Sequence, residues 1–154
     1  MSYVKILIAT DGSEFSKAAI EMMCSSFANL DLIDIMVVSV YEERFAIATE
    51  PYAISAEFYQ QMIEASEQNA RHFADAAADL IRSRLVRADL NIELRVPAGP
   101  PEKMIVEAAT EWNADLIVVG SHGRGFWGRL LGSVSEGVMH HAPCSVLVVR
   151  KQAE

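Results

Sequence analysis

The chain is poor in cysteine, in lysine and in long apolar runs, and each shortage excludes something. Only Cys24 and Cys144 occur among 154 residues. That is too few for a disulfide framework and points to a reducing compartment. No stretch approaches the roughly 20 apolar residues of a membrane span. The apolar run Val4–Ala9 is too short for the core of a secretory signal, and Asp11 follows it closely, so the cytosol is the expected location. Basic residues are outnumbered: Lys plus Arg is 13 against 21 for Asp plus Glu, a net charge of −8. So acidic a surface repels phosphate backbones and anionic lipid, which argues against nucleic acid or a membrane as partner.

What remains is a foldable chain. Hydrophobic residues make up 51% and charged residues 22%, enough for one domain over residues 1–154 whose core needs no metal or disulfide. Short runs rich in Val, Ile and Leu predict strands at Val4–Ala9, Ile33–Val40, Asn91–Val96, Leu116–Gly120 and Ser145–Arg150. Most are apolar on consecutive residues, the pattern of strands covered on both faces. Helical patterns alternate with them. Ser13 caps a first helix that turns Phe15, Ala19, Met22 and Cys24 inward. A second runs from about Ser55 to Leu85 with Phe58, Met62, Ala65, Phe73, Ala76 and Leu80 at helical spacing. Pro100 and Pro101 open a third, which carries Met104, Ile105, Ala108 and Ala109 and ends near Asn113. A fourth begins near Ser133 and ends before Pro143. Alternation of this kind predicts an α/β fold: a Rossmann-like or flavodoxin-like five-stranded parallel sheet, order 3-2-1-4-5, with helices on both faces. The irregular segment Tyr41–Ala53 is long for an idle loop and is expected to cover a site.

Ligands of such sheets bind beyond the carboxyl ends of the strands, where strand order reverses. There the fourth strand runs into G-S-H-G-R-G-F-W-G-R-L-L-G-S, residues 120–133, which holds five of the chain's eight glycines. Glycine lets the backbone approach a ligand with no Cβ in the way. Gly132-Ser133 opens a helix, whose free N–H groups and dipole make an anion site out of main chain. Ser133 and Ser135 offer hydroxyl donors beside it. The competing reading is a plain surface loop. A Walker pattern is absent, and Gly123-x-Gly125-x-x-Gly128 follows the wrong strand for a dinucleotide fingerprint.

With these residues in place the chain resembles the universal stress protein family, in its ATP-binding branch. The likeness lies in the turn Ala9-Thr10-Asp11-Gly12-Ser13, the strand Ala114–Gly120, a G-x2-G-x9-G-[ST] signature at Gly120, Gly123 and Gly132-Ser133, and the closing stretch His141–Val149. One departure stands out: residues 124–131 number eight where the signature has nine. The shortening falls in the middle of the loop and bears on the γ-phosphate end of the site. The resemblance implies that Ala9, Thr10 and Asp11 contact adenine and ribose, and that Val40 contacts adenine. It places Val119 and Gly120 under the adenosine and Gly123 under the phosphates. Gly132, Ser133, Val134 and Ser135 would wrap the α- and β-phosphates. The implied ligand is ATP, or AMP or ADP, with Mg²⁺. The implied assembly is a homodimer through the edge strand Ser145–Arg150.

Several residues carry two readings. Asp11 accepts from a ribose hydroxyl or holds a metal through water, or else it caps the first turn. Arg124 and Arg129 are the cations of the loop, set to offset phosphate charge or simply solvated. His122 touches phosphate or serves as a loop hydrogen-bonder. Phe126 and Trp127 form a lid, meet a partner, or pack on their own domain. His140, His141, Cys24 and Cys144 read as structural. Three functions follow: an ATP-binding regulatory protein with slow hydrolysis at most; a dimeric interaction protein without nucleotide; and a hydrolase using His122 and Asp11.

Overall fold

The computed structural model describes residues 3–43, 55–123 and 130–151. Its elements run β1 (Val4–Ala9), α1 (Glu14–Phe27), β2 (Ile33–Val38), α2 (Ala56–Arg84), β3 (Asn91–Arg95), α3 (Pro101–Trp112), β4 (Leu116–Gly120), α4 (Ser133–His141) and β5 (Ser145–Val149). The strands form one parallel sheet in the order β3-β2-β1-β4-β5, as the alternating pattern predicts. Val4 lies opposite Ile33 and Ile6 opposite Leu116.

Consecutive apolar residues occur in the strands because neighbours serve opposite faces. Ile6 and Ile8 join Ile35, Val37 and Val118 in a cluster with α1 and α2. Leu7 joins Met36, Val38, Ile117 and Val119 in a second cluster with α3 and α4. The sheet is thus sandwiched, and both clusters are nearly free of solvent.

Local signals set the helix ends. Ser13 Oγ accepts from Ser16 N at 3.2 Å, and Ser55 Oγ accepts from Phe58 N at 3.1 Å. Pro101 occupies the first turn of α3, and Asn113 ends that helix in the left-handed region at φ 55°.

Several expectations need correction. β2 ends at Val38, β3 at Arg95 and β5 at Val149, each one or two residues short of the predicted end. Ser39 N still donates to Arg95 O at 3.0 Å, so the chain stays extended past the regular ladder. In α1, Met22 is 42% exposed while Met23 is fully buried. In α2, Phe58 is 53% exposed and Ala65 and Ala76 also face solvent. The covered residues there are Ala70, Ala74, Ala77, Ala78 and Ile81. At 1.5 Å per residue, a helix of 29 residues is about 43 Å long, against about 20 Å for a six-residue strand. No residue of its first half before Ala70 is buried among the described residues. The segment 41–53, expected to cover a site, lies outside the described residues from position 44 onward.

Candidate functional site at the carboxyl ends of the strands

In this strand order the chain leaves β1 toward β2 and returns, after β3, to β4 on the other side. The ends of β1 and β4 therefore diverge, and a crevice opens between them. A cavity of about 320 Å³ lies there. Its apolar wall is formed by Ala9, Val38, Val40, Ile105 and Val119, its polar rim by Thr10, Asp11, Gly120, Gly123 and the start of α4. Every expected binding residue among the described ones lines it: Ala9, Thr10, Asp11, Val40, Val119, Gly120, Gly123, Gly132, Ser133, Val134 and Ser135. Arg124 and Arg129 lie outside the described residues, as do Phe126 and Trp127.

Polarity is concentrated at this end of the molecule. The buried polar side chains among the described residues are Thr10, Ser16, Ser39, Ser121, His122 and Ser135. All belong to strand ends or to the first turns of α1 and α4. Burying hydroxyls costs free energy unless they are paired, and most of them are. Thr10 Oγ1 accepts from Gly12 N and donates to Ser16 Oγ, both at 3.2 Å. Ser16 Oγ in turn donates to Ser13 O at 2.9 Å. Among the described residues, Ser39 Oγ is buried and has no partner.

Two distant motifs meet at Asp11. Its Oδ1 accepts from Ser13 N at 2.9 Å, which fixes the turn after β1. Its Oδ2 lies 2.8 Å from where a Cβ on Gly123 would sit. Glycine at 123 thus leaves room for the carboxylate. Glycine at 120 has a different cause: a Cβ there would lie 2.7 Å from the backbone carbon of Phe15, so β4 approaches α1 too closely for any side chain.

Among the described residues, no side chain caps the start of α4. Gly132 at its N-cap makes no side-chain hydrogen bond, and Glu136 N is the donor that reaches back to Gly132 O, at 3.0 Å. An α-helix leaves its first N–H groups without intrahelical acceptors; here they belong to Ser133, Val134 and Ser135, which border the cavity. The Ser135 hydroxyl, expected as a phosphate donor, is engaged elsewhere. Its one hydrogen is shared between Ser121 O at 3.1 Å and Gly132 O at 2.9 Å, which leaves Ser133 as the hydroxyl of that pair with no partner among the described residues. His122 lines the cavity and is 9% exposed. Asp11 is the one charged residue in the described lining. No group of three His, Cys, Asp or Glu side chains that would hold a metal occurs among the described residues.

Sequence reasoning missed Ser16, Val38, Pro101 and Ile105 in the cavity wall. Val38 was within reach, since it shares a sheet face with Val40 at a spacing of two. Pro101 and Ile105 come from α3 and meet the others only through the crossover.

The model of the universal stress protein family matches residues 2–150, and the chain belongs to that family. A putative universal stress protein of Staphylococcus aureus (strain USA300) is 32% identical over 99% of this chain and 87% of its own length. Among solved structures, a universal stress protein family protein of Arabidopsis thaliana with AMP bound shares the fold. It has a TM-score of 0.69 at 20% identity and covers 97% of this chain and 93% of that one. A universal stress protein in complex with cAMP has a TM-score of 0.64 at 25% identity and covers 99% of this chain and 100% of that one. Among the described residues, no helix is long and apolar enough to cross a membrane.

Proposed function

We propose that the chain is a cytosolic regulatory protein of one domain that binds an adenine nucleotide, ATP or its shorter relatives, in the cavity between β1 and β4. The observation that carries this reading is the start of α4, uncapped among the described residues, whose amides border a cavity with an apolar wall opposite. Such an end attracts phosphate through N–H groups and helix dipole together. The base lies against Val38, Val40 and Ile105, the ribose toward Asp11, and the α- and β-phosphates toward Gly132–Ser135. Mg²⁺ accompanies a triphosphate through the Asp11 carboxylate and water, offsetting the molecule's negative field. The cAMP complex of a family member supports an adenine nucleotide.

Hydrolysis is slow or absent on this reading. Both ring nitrogens of His122 have hydrogen-bond partners, so it is not a ready base, and no lysine sits in the loop to serve the γ-phosphate. A homodimer through β5 completes the proposal. β5 carries Val146, Leu147, Val148 and Val149 on an open edge. The other edge, β3, is guarded by Glu93 and Arg95. Pairing β5 with its copy removes the aggregation-prone edge.

Calorimetric titration with ATP, ADP, AMP and GTP tests the ligand. The expected result is saturable binding of the adenine nucleotides at micromolar to low millimolar concentration. Absence of heat from all four at millimolar ligand would overturn the reading and favour a nucleotide-free interaction protein.

A further inference from the structure

His122 is held on three sides. Its Nδ1 lies 3.0 Å from Ser121 Oγ, its Nε2 bonds to the carbonyl of Leu130, and its ring lies 5.1 Å from that of Phe15, tilted by 57°. A backbone carbonyl only accepts, so Nε2 carries the proton. In a neutral ring Nδ1 is then the acceptor, and the Ser121 hydroxyl donates to it.

This arrangement joins the end of β4 to Leu130, on the limb that enters α4. His122 and Leu130 bracket the loop, and the imidazole spans them. Leu130 is 78% exposed, so packing of its own side chain does not hold it in place. Beside this bond, Gly132 N donates to Ser121 O at 2.8 Å and Ser135 Oγ reaches the same oxygen. Together they tie the start of α4 to the end of β4.

We propose that His122 is the positioning residue of the site. Its imidazole, in the Nε2–H form, straps the returning limb of the loop so that the amides of Ser133–Ser135 face the anion before it arrives. The proposal rests on the nucleotide reading for its function but not for its geometry. Preorganised donors bind more tightly because ordering is not left to the moment of binding.

The first test needs no ligand. Long-range proton–nitrogen NMR of the wild-type imidazole should show a protonated Nε2 and an unprotonated Nδ1; the opposite tautomer overturns the proposal. The second uses His122→Gln, whose amide nitrogen reaches the Nε2 position, and His122→Asn, whose amide reaches only the Nδ1 position. With AMP and ATP as probes, the loss of one aligned hydrogen bond should weaken His122→Asn by about tenfold, while His122→Gln stays within about threefold of wild type. Equal affinities for the two variants, weak or strong, would refute the strap. Should wild type bind neither probe, the nucleotide reading fails, and amide hydrogen exchange at Gly132 decides the strap alone. There exchange should be faster in His122→Asn than in His122→Gln, and equal exchange counts against it.

Discussion

At the residue scale, two glycines of one signature do different work. Gly120 is needed because the Phe15 backbone lies where its Cβ would go, and Gly123 because the Asp11 carboxylate does. Backbone yields less readily than a carboxylate. Gly120→Ala should therefore cost about 1–3 kcal/mol of stability, seen as a lower urea midpoint. Gly123→Ala should leave stability within about 1 kcal/mol and instead displace Asp11, weakening nucleotide binding. Equal destabilisation by both would contradict this division. Cys24 makes a separate test. Burial in α1 pushes its thiol from 9.0 up to about 11, with the Glu21 carboxylate adding to the rise and Arg84 opposing it. The unfolded thiol ionises first, so the stability contributed is fully present below pH 9 and lost as pH rises toward about 11. Urea midpoints of wild type and Cys24→Ala measured across that range should show the wild type declining more steeply. Parallel curves would show that the thiol is not held neutral by the fold.

At the scale of elements, the helices teach more than the strands. The strands were legible because burial on both faces leaves consecutive apolar residues, as in Ile6-Leu7-Ile8. Their ends were less so, since Ser39 and Val40 stay extended without completing a regular ladder. α2 shows where hydrophobic pattern misleads. Phe58 and Met62 dominate its apolar signal, yet the sheet lies beneath Ala74, Ala77 and Ile81. Small residues there let the helix approach closely, and alanine contributes little to a pattern weighted by size. The expected mutational cost is inverted accordingly. Phe58→Ala should change stability by less than about 0.5 kcal/mol, as at other surface sites. Ala74→Leu should cost about 1–3 kcal/mol, because Ala74 is fully buried and added methylenes have nowhere to go. Chemical denaturation of the two variants checks this ordering.

At the scale of the whole molecule, the sheet order places the site. The glycine spacing and the turn after β1 were readable because each demands particular residues at fixed positions. That they share one cavity with Pro101 and Ile105 was not, since this depends on the crossover from β3 to β4. The clamp of His122 on Leu130 left no trace either, because a carbonyl acceptor has no side-chain signature. Assembly belongs to this scale too. Light scattering at micromolar concentration should give twice the chain's 17.0 kDa if β5 pairs with its copy, and a single-chain mass would refute that pairing.

The central claim is that main-chain amides at the start of α4 hold the phosphates, and one substitution removes such an amide while sparing the helix. Ser133 is the first residue of α4, and Gly132 before it has φ −70° and ψ 158°, a conformation that a following proline accepts. Proline is itself well tolerated at the first helical position. Calorimetry with ATP should show Ser133→Pro binding about tenfold more weakly than Ser133→Ala, which loses the hydroxyl alone. Equal affinity of the two variants would mean that the phosphates are held elsewhere.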